Sequence, residues 1–231
     1  MTTDSAAILL FTHDSENEIK NKLFLKGGTS KKNKTIADCL ISDSIKKISG
    51  LGIPYFIVSI KDQKGNTFGE RLSNAVESIF ESGFNKIIVT GSDIPSITTS
   101  TLINASNELK HNDFVIGPTL NGGTYLIGLS KKHFNKNDFQ NLNWQTSTLL
   151  TEIIDFAKGI TSSVVITNPL NDINNPNDLI HFVEHKSKYC SLARTIASLI
   201  SQSLYSCIFQ ESNKKISIPL YSFGTSAPPV I

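Results

Sequence analysis

The chain has 231 residues, 39 % of them hydrophobic and 18 % charged, with a formal net charge of +2. That length allows one large domain or two small ones, and the composition suits a soluble globular protein. The charge is too small to imply nucleic-acid binding. Cys39, Cys190 and Cys207 are widely spaced and form no CxxC pair or zinc-like grouping with histidine, so reduced thiols are expected instead of a disulfide framework.

The first apolar run, Ala6 to Phe11, reads as a strand buried on both faces. It is too short to span a membrane and no basic stretch precedes it, so a cytoplasmic address is expected. Thr12 to Asn17 reads as a polar turn, and Gly27 to Ser30 with Lys31, Lys32 and Lys34 as a solvated loop. Thr35 to Ile48 reads as a helix, with Lys46 and Lys47 complementing the dipole of its last turn. Tyr55 to Ile60 is the second strand. Leu72, Ala75, Val76, Ile79 and Phe80 recur at helical spacing, with Gly83 as a stop.

Lys86 to Thr90 is the third strand. Pro95 blocks its continuation, and Ser96 or Thr98 can cap a helix running to about Lys110. Phe114 to Gly117 and Tyr125 to Leu129 are the next two strands. The link between them is too short for a crossover helix, which predicts an antiparallel or bent strand in an otherwise parallel sheet. Lys131 to Leu142 reads as a loop with a short helix, Thr146 to Lys158 as a helix and Val164 to Ile166 as the sixth strand. The asparagine-rich loop 168–177 follows, with Pro176 placed to start a helix. Beyond Asp178, two helices reach to about Ile200. Tyr205 to Phe209 and Ile216 to Leu220 read as a small terminal hairpin or an arm on a partner.

Two strands end alike, in Gly91-Ser92-Asp93 and in Asn121-Gly122-Gly123, at the edge of the sheet where α/β proteins bind ligands. Asp93 suits Mg2+ or Mn2+ holding a diphosphate, or a cap accepting turn N–H groups. Asn121, Gly122 and Gly123 allow close approach of a ligand, or form a tight turn. Asp172 could complete the metal site, act as a base or hold an Asx turn. Lys20, Lys22 and Arg71 could converge on phosphate oxygens or stay solvated. Trp144 could cover a sugar or base, or anchor the core. Neither a P-loop nor a Gly-x-Ser-x-Gly sequence is present, and the histidines have no metal-like spacing, which disfavours P-loop ATPases and metal or serine hydrolases.

The ordered motifs Gly69-Glu70-Arg71-Leu72, Thr90 to Pro95, Gly117-Pro118 with Gly122 to Gly128, Asn143 to Thr146 and Asp172 to Leu179 resemble the bacterial DUF2064 proteins, also called selenodomain-associated transferase 1. Those proteins are similar to nucleotide-diphospho-sugar transferases of the GT-A fold. The resemblance implies an α/β, GT-A-like three-layer sandwich with a mixed, mostly parallel sheet over residues 1–185. Residues 186–231 are then a helix and short-strand extension, packed on the same domain or on a partner, with a homodimer as one such arrangement.

The resemblance further implies a nucleotide-diphospho-sugar over the strand ends. Lys20, Lys22, Arg71, Asn121, Gly122, Gly123 and Trp144 would line it, Asp93 and Asp172 would hold a weak Mg2+ or Mn2+ site, and Asp172 would be the candidate base. Against the family pattern, an arginine is replaced by Lys22 and the Pro-x-x-Gly turn before it is missing. Two carboxylates have become Asn121 and Asn174, so ligand charge for a cation is reduced. Glycosyl transfer is the first expectation and a catalytically impaired nucleotide-binding or protein-interaction module the second. Nucleotidyl transfer ranks last, because Thr12 to Asn17 is not glycine-rich.

Overall fold

A computed structural model describes residues 3–186, 188 and 190–201. The strands are β1 (Thr3–Phe11), β2 (Tyr55–Val58), β3 (Phe84–Thr90), β4 (Phe114–Pro118), β5 (Thr124–Ser130) and β6 (Val164–Ile166). They form one sheet in the order β2-β1-β3-β5-β4-β6. Only β5 runs antiparallel to its neighbours, β3 and β4; the β1–β2, β1–β3 and β4–β6 pairs are parallel. This is the mixed α/β sheet expected from the short β4–β5 link.

The helices are α1 (Ser15–Asn21), α2 (Ser30–Ser49), α3 (Phe68–Glu81), α4 (Thr99–His111), α5 (Lys136–Gln140), α6 (Leu149–Ile160) and α7 (Pro176–Lys186), followed by α8 over residues 191–201. They cover both faces of the sheet. Along β1 the side chains alternate. Ala7, Leu9 and Phe11 join Leu72, Val76 and Phe80 of α3 and Ile153 of α6 on one side. Ala6, Ile8 and Leu10 join Ile48 of α2 and Leu102, Ala105 and Leu109 of α4 on the other. A third cluster joins Ile36 and Leu40 of α2, Leu179 and Phe182 of α7 and Leu192, Ala193 and Ile196 of α8, so α8 lies on the body of the domain. The hairpin expected over 205–220, with Cys207, lies outside the described residues. Cys39 and Cys190 are free thiols.

Two elements depart from expectation. The stretch read as a polar turn carries α1, because Asp14 caps it by accepting the Asn17 N–H (2.9 Å). Helix α2 begins before Lys31, so Lys31, Lys32 and Lys34 lie in its first turns and not in a loop. Thr29 caps it, and buried Asn33 accepts the N–H groups of Phe24 and Leu25 (2.8 and 2.9 Å). Helix α3 starts with a capping box: Thr67 accepts the Glu70 N–H, and Glu70 reaches back to the Thr67 N–H. Thr67→Ala is expected to lower stability by about 1 kcal/mol. Urea denaturation of parent and variant checks this; an unchanged midpoint would show the cap contributes nothing.

Candidate functional site

The ends of β1, β3 and β4 and the start of β5 meet at one edge of the sheet. A cleft of about 770 Å³ opens there, a volume typical of small-ligand sites. The sheet order sets its layout. His13, Gln63 and Arg71 lie on the β1/β2 side, Asp93 at the centre, and Asn121, Asp172 and Asn174 on the β4/β6 side.

At the centre, the hydroxyls of Thr12 and Ser92 are 2.7 Å apart and buried, tying the ends of β1 and β3 together. Asp93 Oδ2 accepts from Lys22 Nζ (2.7 Å), and Lys22 also reaches Glu18 (3.3 Å) one turn back on α1. Burial alone would push this ammonium down, but Asp93 and Glu18 more than offset it and hold it above its ordinary value. The Asp93 carbonyl accepts the Ile173 N–H (2.9 Å), which joins the loop after β3 to the loop after β6.

On the β4/β6 side, Thr119 closes a tight turn: its N–H donates to the Gly123 carbonyl and its hydroxyl accepts the Gly123 N–H, each at 2.9 Å. The Thr119 hydroxyl also donates to Asn121 Oδ1 (2.5 Å), which turns the amide N–H groups of Asn121 onto Asp172 (2.9 and 3.0 Å). Asn174 adds a third amide bond to Asp172 (2.6 Å). Asp178, in the first turn of α7, accepts the N–H groups of Asn174 and Asn175 and ties the loop to the helix start. On the opposite side, Arg71 Nε donates to Gln63 Oε1 (3.2 Å), and Gln63 donates to the Thr12 carbonyl (3.0 Å), so the guanidinium is braced against the end of β1.

The remaining expected residues are placed as follows. Gly123 lines the cleft, while Gly122 supports it by sitting against the Ser147 carbonyl. Trp144 lines the wall, donates its indole N–H to the Phe139 carbonyl (2.9 Å), and packs tilted on Phe68 and edge-on to Phe139. Lys20 lies outside the lining, its ammonium bonded to Asn17. Next to Trp144, Gln145 lies in the left-handed region at φ 62°, an uncommon state for a residue with a side chain. Sequence reasoning missed Glu18 and Gln63. The Glu18–Lys22 spacing of one helical turn is a usable signal for the first; Gln63 carries none.

The donor set does not make a ready cage for a divalent cation. Asp93 gives one oxygen to an ammonium, and both oxygens of Asp172 face amide N–H groups. Among the described residues no group of three His, Cys, Asp or Glu side chains could hold a metal ion. Nor is any described helix long and apolar enough to cross a membrane.

Comparison with known proteins agrees with this architecture. The family described as "Uncharacterized protein conserved in bacteria (DUF2064)" matches residues 56–146. The chain is 28 % identical over 178 residues to a 2-phospho-L-lactate guanylyltransferase of Methanocaldococcus jannaschii, covering 71 % of this chain and 76 % of that protein. It is 27 % identical over 132 residues to the Methanocaldococcus vulcanius protein of the same name, covering 55 % of this chain and 59 % of that protein's length. Among solved structures, a proposed nucleotide-diphospho-sugar transferase from Desulfovibrio desulfuricans G20 superposes with a TM-score of 0.71 at 22 % identity, over 86 % of this chain and 97 % of that one. Rv0371c from Mycobacterium tuberculosis H37Rv superposes at 0.52 with 10 % identity, over 80 % of this chain and all (100 %) of that one. The fold is therefore that of the nucleotide-diphospho-sugar transferases.

Proposed function

We propose that the cleft binds a nucleotide-diphospho-sugar and transfers its glycosyl group to an acceptor hydroxyl. The observation that carries this reading is the placement of Lys22 and Arg71, the two Lys or Arg side chains among the described lining residues, beside the strand ends. A lysine ammonium has three donors, and Glu18 and Asp93 take two, which leaves one for a phosphate oxygen. Arg71 offers the remainder of its fork. In the transfer, the acceptor oxygen attacks the anomeric carbon and the bond from that carbon to the diphosphate oxygen breaks. The nucleoside diphosphate leaves with the electron pair, and the acceptor proton passes to Asp172. Stabilising the leaving charge is the task of Lys22 and Arg71. Two cations suit a diphosphate better than the larger charge of a triphosphate.

Calorimetric titration with UDP- and GDP-sugars, with and without Mn2+, tests the binding step. Arg71→Ala is expected to weaken binding about tenfold, the scale of one lost charge-assisted hydrogen bond. No binding of either donor at millimolar concentration overturns the reading. A second reading, guanylyl transfer, is favoured by the two guanylyltransferase relatives. There the α-phosphate of GTP is attacked and pyrophosphate leaves. Release of pyrophosphate from GTP in the presence of 2-phospho-L-lactate would select it. Nucleotide binding without turnover of any donor would assign the chain to the non-catalytic alternative.

A further inference from the structure

The geometry points to a specificity of the acceptor side: the β4/β6 half of the cleft takes a neutral, hydroxyl-rich acceptor and selects against acceptors that carry phosphate or carboxylate. The inference rests on the transferase reading above and names the substrate class for that site.

That half is lined by Asn121, Gln145, Thr146, Ser147, Asp172 and Asn174. Five are uncharged hydrogen-bonding side chains, and the sixth is a carboxylate. Among the described residues, the two Lys or Arg side chains that line the cleft both lie outside this half, since Lys22 rises from the end of α1 and Arg71 from α3. Lys22 stands at the centre of the cleft, where Glu18 and Asp93 already take two of its three donors. An anionic acceptor here would face Asp172 with no Lys or Arg among the described lining residues of this half, and like charges repel. Hydroxyl groups find what they need. Asp172 accepts, the amides of Asn121 and Asn174 both donate and accept, and Gln145, Thr146 and Ser147 stand exposed along the wall. Asp172 is held in place by its amide bonds, so the half is built in advance and does not depend on a ligand to assemble it.

The test is ligand-observed NMR on the full chain with matched pairs: glucose and glucose 6-phosphate, glycerol and glycerol 3-phosphate. Nucleotide titration runs in parallel. Arg71→Ala removes one of the two cations of the described lining that a phosphate could meet, and Lys22 remains at the centre. The neutral member of each pair is expected to bind, and its phosphorylated counterpart to bind at least about tenfold more weakly in the parent and in Arg71→Ala. Asn174→Lys, at an exposed position, is expected to shrink or reverse that preference without unfolding the chain. Equal or tighter binding of the phosphorylated members in Arg71→Ala overturns the inference, as does failure of both members to bind. A chain that binds no nucleotide but keeps the neutral preference sinks the transferase reading and leaves the acceptor selectivity standing.

Discussion

Replacing Lys22 by alanine is expected to abolish measurable nucleotide binding, a loss of about a hundredfold or more, and to lower stability by about 2–3 kcal/mol. The side chain is 18 % exposed, and the carboxylates it joins, Glu18 and Asp93, are 11 % and 31 % exposed. Removing the ammonium leaves two half-buried like charges without their shared counter-ion. It also removes the link from α1 to the loop after β3. A fully buried pair broken this way costs about 3–5 kcal/mol, and the partial exposure of Asp93 discounts that range. Lys22→Arg keeps the charge and is expected to recover most of the stability. Lys20→Ala, two residues away, bonded to Asn17 and outside the cleft lining, is expected to change neither property.

The effect has a pH signature. The Lys22 ammonium is held above its ordinary value of 10.5. A raised value in the fold means that its contribution is complete below about pH 10.5 and is lost as pH rises through the folded value. The difference in urea stability between parent and Lys22→Ala should therefore be constant at neutral pH and close only on the strongly alkaline side. Identical nucleotide titrations for parent and variant would remove Lys22 from the binding site.

The fold was legible where local chemistry and tertiary placement agree. The short link between β4 and β5 forbids a crossover, so the antiparallel strand can be read from the spacing alone. The apolar run of β1 announces a strand buried on both faces, those of β3 and β4 announce strands, and the α3 stripe announces its helix. Helix α1 was hidden because its first turn is a run of polar residues, and only the Asp14 cap shows that they are helical. At the site, Asp93, Asn121 and Asp172 were legible as individual residues because they follow strands. What each side chain does was not. Lys22 meets Asp93 across 71 positions and Asn121 meets Asp172 across 51, and no local pattern encodes such pairings. The sequence therefore suggested two carboxylates free to hold a cation, whereas one is joined to an ammonium and the other to amides.

The turn that carries Asn121 gives the other large expected effect. Gly122→Ala is expected to cost about 3 kcal/mol and to disturb the acceptor side more than the phosphate side. Gly122 has φ 87°, which a residue with a Cβ adopts at a cost of about 1–2 kcal/mol. A Cβ there would also run into the Ser147 carbonyl. That obstacle is backbone and cannot swing aside, and it is held close because the Leu150 N–H at the start of α6 donates to the Gly122 carbonyl (2.9 Å). Relief of the clash must push the 145–148 segment away from the turn. That moves Gln145, Thr146 and Ser147 relative to Asn121 and Asp172.

Two other glycines separate the contributions. Gly52 has φ 68°, but a Cβ there would have nothing within 4 Å of it, so Gly52→Ala should show the conformational cost alone, about 1 kcal/mol. At Gly123 a Cβ would meet only side-chain oxygens, the nearest being the Thr119 hydroxyl at 3.0 Å, so the same change there should cost less than at Gly122. Urea denaturation of the three variants gives the order, and NMR with the neutral acceptors shows whether the acceptor side has moved. If Gly122→Ala is no worse than Gly52→Ala, the contact with Ser147 does not constrain the turn, and the wall formed by Gln145 to Ser147 is not held by it.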